Sequence, residues 1–347
     1  MSDKPLLRRV ADEALRAHGA GEIPRHWGDG ILMLGLLEAA DALGEERYAQ
    51  GARRWLDAQL AEGVNLAEGA TWDWGALPLP ALALYRRTRD ERYLALARQV
   101  CEHVATKARR TADGAVVTHA GRPQLWVDSM YFTAPALVRT AAVTGEQRYV
   151  EEALREVEVH ARHLLDASTG LFRHMWDEES AQRSPCPWAR GNAWAALATL
   201  EVLNALSQDH PRRLPLAEML RRQMEAVLRL QDASGLWHTV LDRSDSYLET
   251  SCAAMFALAI VVGVHGGPDG CGLLQGTWLP AEMLASARRA WEGVRAQVTP
   301  EGRVTGVSAG TPPGDFETYQ RVPLGSQTFG TGFVLLAGIE TDRRGGG

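Results

Sequence analysis

Two aspartates in this sequence stand beside tryptophan residues. Asp73 lies between Trp72 and Trp74, and Asp128 follows Trp126 by two positions. Tryptophan rings next to a carboxyl group lower the local dielectric and so favour its protonated form. Two carboxyl groups at one site could then serve as general acid and general base. The alternative is that each aspartate only caps a helix, because aspartate is a preferred N-cap residue.

An arginine is also bracketed by tryptophans, in the segment PWARGNAW. Arg190 stands between Trp188 and Trp194, and Asn192 follows it by two positions. An arginine at the start of a helix can hold a carboxylate through two parallel hydrogen bonds while the neighbouring rings pack against a sugar. The alternative is a structural arginine that stacks on a tryptophan ring.

Two more polar residues are candidates for a sugar-binding site. His174, in GLFRHMW, could form hydrogen bonds with a sugar, although a single histidine is equally often structural. Thr331 lies between two glycines at the start of the last apolar segment, where the glycines could serve only a tight turn into a helix. We predict both as substrate-binding residues, with the structural alternative left open.

Composition and spacing exclude several classes of partner and cofactor. The formal net charge is −6 and no basic run is long enough to follow a phosphate backbone, so we expect no nucleic-acid partner. The longest apolar stretch, residues 252–264, is shorter than the roughly 20 residues of a membrane-spanning helix, so we expect no membrane partner. Neither an HExxH motif nor a glycine-rich phosphate loop occurs, so we expect no metal ion and no organic cofactor.

The cysteines and the N-terminal residues bear on the cellular compartment. The cysteines are scattered without CxxC spacing, which predicts buried free thiols at Cys101, Cys186, Cys252 and Cys271. The N-terminal residues are charged and lack the apolar core of a signal peptide. We therefore expect a cytoplasmic protein.

An internal repeat indicates the elements that position these residues. Three segments each begin with an aspartate, continue as an apolar helix, and reach a turn that ends in Arg-Tyr before a more charged helix. The aspartates and their turn tyrosines are Asp29 and Tyr48, Asp73 and Tyr93, and Asp128 and Tyr149. Looser copies begin at Trp188, Glu249 and Gly330. The first helix of each copy is apolar on nearly all sides, which is typical of a buried helix, and the second is amphipathic.

Six buried and six half-buried helices predict an all-α fold, an (α/α)6 barrel in which an inner ring lies inside an outer ring. We expect residues 1–347 to form this barrel as a single catalytic domain. An open solenoid would need polar capping repeats, whereas the last helix here is apolar. Strand signals are short, as at 114–121 and 302–308, and predict hairpins in loops.

Every inner helix of such a barrel starts at the same end. The residues that open the inner helices should therefore meet at one mouth, where the helix dipoles favour an anionic ligand. These residues are Asp29, Asp73, Asp128, Arg190 with Asn192, Glu249 with Ser251, and Thr331.

Several segments resemble the unsaturated rhamnogalacturonyl hydrolases of glycoside hydrolase family 105 and, more distantly, the family 88 unsaturated glucuronyl hydrolases. They extend over residues 27–340 in the family's order, and the WARGN-x-W block that follows a W-x-D block is the most specific match. The segments are WVDSMYFTAPAL, GLFRHMWDEES, SPCPWARGNAWAALATLEVL, WHTVLDRSDSYLETSCAAMFALA and GTGFVLLAGIE. The glycine-rich region 263–279 departs from the family and is expected to be a variable loop.

The resemblance implies an (α/α)6 barrel that removes an unsaturated uronic acid from the non-reducing end of a lyase-generated oligosaccharide. By the family's pattern Asp128 is the general acid and base, and Asp73 assists it. His174, Arg190 and Trp194 would line the sugar subsite, and Trp126 matches the ring that precedes the catalytic aspartate. The complete set of predicted substrate-binding residues is Trp126, His174, Trp188, Arg190, Asn192, Trp194 and Thr331.

The chemistry of such a substrate explains why one acid is sufficient. The terminal uronyl ring has a double bond between carbons 4 and 5, so protonation at carbon 4 creates an oxocarbenium ion at carbon 5, which water attacks. The resulting hemiketal opens and releases the rest of the glycan, with a single carboxyl group giving one proton and taking another. Two alternatives stay open: an inverting (α/α)6 glycosidase on ordinary glycans, and a non-catalytic glycan-binding barrel. The sequence does not specify the parent polysaccharide, the aglycone or the oligomeric state.

Overall fold

The computed structural model describes residues 2–18, 26–66, 68–266 and 280–344. The helices are α1 (Lys4–His18), α2 (Trp27–Leu43), α3 (Glu46–Glu62), α4 (Thr71–Gly75), α5 (Pro78–Thr88), α6 (Glu91–Thr106), α7 (Asp128–Thr144), α8 (Gln147–Leu164), α9 (Ala189–Ala205), α10 (Arg213–Arg229), α11 (Thr250–His265), α12 (Pro280–Ala296), α13 (Phe316–Gln320) and α14 (Thr328–Arg344). The strands are β1 (Gln124–Trp126), β2 (Leu165–Asp166), β3 (Leu171–Phe172), β4 (Met175–Asp177), β5 (Gln182–Arg183), β6 (Trp237–His238), β7 (Leu248–Glu249), β8 (Val307–Ser308) and β9 (Leu324–Gly325).

Among the described residues, six helical elements form a closed inner ring. Helix α2 contacts α5, α5 contacts α7, and the ring continues through α9, α11 and α14 back to α2. These helices are apolar on nearly all sides and are buried along most of their length. The amphipathic helices α3, α6, α8, α10 and α12 each pack outside the inner helix that precedes them in sequence. This arrangement confirms the predicted (α/α)6 barrel.

The sixth outer helix comes from the N-terminus, which the repeat did not indicate. Helix α1 packs against α14, so the two ends of the chain close the barrel together. Asp3, just before α1, accepts a hydrogen bond of 2.6 Å from the Trp291 indole of α12, and its backbone N–H donates to Asp342 of α14 at 2.8 Å. Asp3 therefore ties an outer helix and the last inner helix to the start of the chain.

The second inner element is split into α4 and α5 because prolines follow the first turn. Pro78 stands at the first position of α5, where its missing N–H has no intrahelical acceptor, and it cannot extend α4. Gly75 at the end of α4 lies against α7, where an added Cβ would be 2.2 Å from the Phe132 carbonyl oxygen. Glycine therefore permits the close approach of α4 to α7, the two helices that carry Asp73 and Asp128.

Short antiparallel strands lie beside the starts of the inner helices. Strand β1, which directly precedes α7 in sequence, pairs with β4, and β4 pairs with β5. The pairs β6–β7 and β8–β9 lead into α11 and α14. The hairpins expected at 114–121 and 302–308 are only partly formed, because these segments make isolated bridges and the β8 residues pair with β9 across an intervening loop.

The described cysteines Cys101, Cys186 and Cys252 are buried and free, as predicted, whereas Cys271 and most of the loop expected at 263–279 lie outside the described residues. Within the described ranges, every helix is too short or too polar to cross a bilayer. Among the same residues, the structure has no group of three or more His, Cys, Asp or Glu side chains that could bind a metal ion.

Candidate active site

The starts of α4 and α7 are joined by hydroxyl groups beside the two aspartates. Ser129 follows Asp128, and its hydroxyl lies 2.9 Å from the hydroxyl of Thr71, two residues before Asp73. The Thr118 hydroxyl lies 2.8 Å from the Ser129 hydroxyl on the other side. All three hydroxyl-bearing side chains are buried. The network fixes the two aspartate-bearing helix starts relative to each other.

Asp128 lies against His174, which the loop between β3 and β4 provides. The Val127 N–H donates to the His174 carbonyl at 2.9 Å, which fastens this loop to the start of α7. Asp128 Oδ2 is then 3.2 Å from His174 Nε2, with the histidine side chain fully buried and the aspartate side chain 14% exposed. Because Oδ2 itself is buried, the other carboxylate oxygen, Oδ1, is the one available to a ligand.

The His174 ring is held by aromatic and polar neighbours. It stacks on Trp188 with ring centroids 4.2 Å apart and meets the edge of Trp126 at 5.5 Å. Its Nδ1 lies 2.9 Å from the Tyr319 hydroxyl. Burial lowers the pKa of His174, against the opposing effect of the Asp128 carboxylate. The imidazole next to Asp128 is therefore neutral near pH 7.

Asp73 combines the capping role and the site position that the sequence left as alternatives. Its Oδ2 accepts a hydrogen bond of 2.7 Å from the Ala70 N–H, the N-cap residue of α4. The residue is nevertheless exposed, and it lines an open cavity of about 410 Å³ together with Trp72 and His119. Asp73 thus caps its helix with one oxygen while its side chain faces the mouth.

His119 belongs to the site although the sequence analysis did not single it out. Its ring meets the edge of Trp72 at 5.0 Å and of Trp126 at 4.8 Å, and the two tryptophans are 5.4 Å apart. Burial lowers the pKa of His119, while the Asp73 and Asp128 carboxylates act in the opposite direction. The three rings therefore form an aromatic wall, and the His119 ring is near enough to both carboxyl groups to respond to their charges. The only sequence signal was a histidine in the predicted hairpin before the W-x-D block.

Arg190 is buried inside the protein, with 1% of its side chain exposed. Its guanidinium lies between the rings of Trp188 and Phe329, at 4.5 and 4.9 Å from their centroids. One terminal nitrogen donates to Ser308, and the other donates to the Ala309 carbonyl at 2.9 Å. These contacts fit the structural alternative, and the carboxylate-binding role of Arg190 stays a prediction.

Glu249 completes the cluster around Arg190. It is the N-cap of α11, and its Oε2 accepts the Cys252 N–H at 2.7 Å. Its Oε1 accepts the Ser308 N–H at 2.9 Å and lies 3.4 Å from the arginine. Glu249 and Arg190 together fasten the segment that begins at Ser308 to two inner helices.

Three other predicted substrate-binding residues lie beneath the mouth. Asn192 is fully buried and exchanges hydrogen bonds of 2.8 and 2.9 Å with the Phe172 backbone, so it holds strand β3. Trp194 is fully buried among aromatic rings, including Trp27 and Phe333. Thr331 is buried and donates to the carbonyl one helical turn earlier. The structure therefore brings together Asp73, Asp128, Trp126, His174 and Trp188, whereas Arg190, Asn192, Trp194 and Thr331 are buried and their substrate-binding roles stay predictions.

A double ring of helices whose inner starts carry two aspartates and an aromatic wall is the architecture of a barrel glycoside hydrolase. The chain belongs to Glycosyl Hydrolase Family 88, whose sequence profile matches residues 9–344.

Named relatives agree with this membership. The chain is 30% identical to the unsaturated rhamnogalacturonyl hydrolase YesR of Bacillus subtilis, over 96% of this chain and 94% of that protein. A structure described as a possible member of the GH105 family, from Salmonella enterica, is 25% identical and superposes with a TM-score of 0.84 over 98% of this chain and 93% of that one. The unsaturated glucuronyl hydrolase of Bacillus sp. GL1, 18% identical, shares the fold with a TM-score of 0.76 over 98% and 95% of the two chains. The resemblance to unsaturated uronyl hydrolases is thereby confirmed.

Proposed function

We propose that this enzyme removes an unsaturated uronic acid from the non-reducing end of lyase-generated oligosaccharides, by hydration of the double bond between carbons 4 and 5. The observation that carries the proposal is the contact between Asp128 and the buried neutral His174. It occupies one carboxylate oxygen and leaves the other free at a mouth lined by aromatic rings. Similarity to YesR, which is named an unsaturated rhamnogalacturonyl hydrolase, supports the same reaction.

In the proposed mechanism Asp128 gives its proton to carbon 4 and then takes a proton from the water that attacks carbon 5. One carboxyl group in contact with the reacting atoms can perform both steps, because the second step restores the acid. Trp126 and Trp72 provide apolar faces beside this carboxyl group, against which a sugar ring can pack. Asp73, whose carboxylate acts on the nearby His119 as that of Asp128 does, would adjust the charge at the mouth.

Similarity favours this hydration over ordinary inverting hydrolysis, because two of the relatives are named for unsaturated substrates. A non-catalytic glycan-binding barrel would not need a carboxyl group that has one oxygen against a buried histidine and the other oxygen available to a ligand.

Rhamnogalacturonan is the polysaccharide that we propose as the source of the substrate. YesR, the relative similar over almost its whole length, is named for rhamnogalacturonan, whereas an unsaturated 3S-rhamnoglycuronyl hydrolase of an Alteromonas strain is 26% identical over 62% of this chain and 50% of that protein. The cytoplasmic location stays a prediction.

The proposal is tested with a panel of lyase-generated unsaturated disaccharides, following loss of the ultraviolet absorbance of the double bond. We expect turnover by the wild-type protein, with the rhamnogalacturonan-derived disaccharide as the best substrate. The matched variant Asp128→Asn keeps the size of the side chain, so the fold should survive while turnover falls by roughly 100-fold or more. Unchanged absorbance with every disaccharide, or an Asn variant with more than about a tenth of the wild-type rate, would show that the proposal is wrong.

A further inference from the structure

The segment 307–327 is attached to the site residues at two places. At its start, Ser308 and Ala309 accept hydrogen bonds from Arg190. Further along, the short helix α13 places Tyr319 against His174, where the tyrosine side chain is fully buried. Neither attachment was indicated by the sequence, because the partners are more than 100 residues apart.

Three side chains on three different elements form a continuous polar chain. The Tyr319 oxygen is 2.9 Å from His174 Nδ1, and His174 Nε2 is 3.2 Å from Asp128 Oδ2. Tyr319 and His174 are fully buried, so water does not compete for the two ring nitrogens. The Tyr319 hydroxyl can therefore influence Asp128 through the imidazole.

The direction of the Tyr319–His174 hydrogen bond follows from the groups at the two ring nitrogens. Burial raises the pKa of Tyr319 far above its usual range, so the hydroxyl keeps its hydrogen. The neighbour of the other ring nitrogen, Nε2, is a carboxylate oxygen of Asp128 at 3.2 Å, which favours an N–H at that position. Nδ1 is then the acceptor for the hydrogen of the Tyr319 hydroxyl, 2.9 Å away. A neutral imidazole that accepts at Nδ1 carries its hydrogen at Nε2.

We propose that Tyr319 is a positioning residue that holds His174 with its hydrogen on Nε2, so that this N–H faces Asp128 Oδ2 and the transferable proton resides on Oδ1. The role of Asp128 in this inference rests on the proposed function. Without the tyrosine hydroxyl, Nδ1 would have no donor, and the opposite tautomer would present a lone pair to Asp128. The carboxyl proton would then reside on Oδ2, on the buried side, where it would bond to His174. It would not be available for transfer to carbon 4.

The variant Tyr319→Phe removes only the hydroxyl oxygen. We expect kcat to fall about tenfold or more while KM changes less than about twofold, because the tautomer affects proton transfer and not sugar packing. The matched control is Tyr93→Phe on the outer helix α6. Tyr93 is equally buried and donates a hydrogen bond of 2.8 Å to Asp57, so it loses the same kind of bond far from the mouth. Its kcat should equal that of the wild type.

A double-mutant cycle separates action through the histidine from a general structural effect. In a His174→Gln background, Tyr319→Phe should cause no further loss of kcat, since the residue through which the tyrosine acts is absent. A loss of the same factor in both backgrounds, or a Tyr319→Phe variant with the wild-type kcat, would overturn the proposal.

The tautomer itself is measured by NMR of the full-length protein with ¹⁵N-labelled histidine, with the His174 signal assigned by comparison with His174→Gln. We expect Nδ1 without hydrogen and Nε2 with hydrogen in the wild type, and a change of this pattern in Tyr319→Phe. Hydrogen on Nδ1 in the wild type, or an identical pattern in both proteins, would contradict the inference. This measurement needs no turnover, so it decides the role of Tyr319 even if every disaccharide in the panel proves inert.

Discussion

Replacing Arg190 tests whether its guanidinium group stabilises the folded protein or binds the carboxylate of the substrate. The variant Arg190→Met fills a similar volume but leaves the buried Glu249 without its cation. Removing one partner of a buried ion pair costs about 3–5 kcal/mol. Unfolding entropy is about 2 cal/mol/K per residue, so over 347 residues this loss lowers the Tm by roughly 4–7 °C. Arg190→Lys keeps the charge but loses the planar fork, and about 1–2 kcal/mol should be lost.

The assay combines thermal unfolding with steady-state kinetics for both variants. Because Arg190 holds Ser308 and Ala309 on the segment that carries Tyr319, we expect the Tm and kcat to fall together while KM changes less. The matched control is Arg92→Lys, an exposed arginine on an outer helix whose replacement should change stability by no more than about 0.5 kcal/mol.

The opposite pattern would refute this reasoning. If Arg190 binds the substrate carboxylate, Arg190→Lys should raise KM tenfold or more and leave the Tm at the wild-type value. That result would mean that the guanidinium leaves Ser308 and Ala309 when substrate binds, and that the sequence-based prediction was the better one.

Two further predictions concern Asp73 and His160. Asp73→Asn retains an oxygen that can accept the Ala70 N–H, so stability should stay within about 0.5 kcal/mol while turnover falls; equal turnover would exclude Asp73 from the chemistry. Burial lowers the pKa of His160 to about 4, below its unfolded value near 6.5. Between these pH values only the unfolded chain binds the proton. The contribution of neutral His160 to the free energy of unfolding is therefore complete above pH 6.5, and it falls by up to about 1.4 kcal/mol per pH unit as the pH decreases towards 4. The free energy of unfolding should depend less steeply on pH in His160→Gln than in the wild type. An unchanged slope would contradict the lowered pKa of His160.

The barrel could be predicted because its signal is local and repeated. Each inner helix is apolar on nearly all sides because other helices cover it all round. Each outer helix is amphipathic because it is covered on one face and exposed on the other. Helix α1 escaped the repeat because its inner partner, α14, lies at the other end of the chain. The split between α4 and α5 had a local cause in Pro78, which the apolar pattern concealed.

The site could be predicted only where one short segment contains both the residue and its surroundings. Asp128 and Trp126 share a W-x-D block, and the structure places both at the mouth. His119 comes from a loop and Tyr319 from the short helix α13. Neither segment has a periodic pattern, so the sequence analysis gave these residues no weight. Arg190 was predicted as a carboxylate ligand from its own segment alone, and its hydrogen-bond acceptors in the structure include Ser308, 118 positions further along the chain. Contacts of that sequence separation follow from the closed ring and not from any motif.

The most direct test of the central claim is the position of isotope labels in the product. In heavy water with labelled oxygen, addition of a proton by Asp128 to carbon 4 should place deuterium on carbon 4 of the released sugar. The labelled oxygen should appear on carbon 5, while the anomeric carbon keeps the former ring oxygen and the glycosidic oxygen leaves with the aglycone. Labelled oxygen on the anomeric carbon, with no deuterium on carbon 4, would contradict the account and would indicate ordinary glycoside hydrolysis in the same barrel.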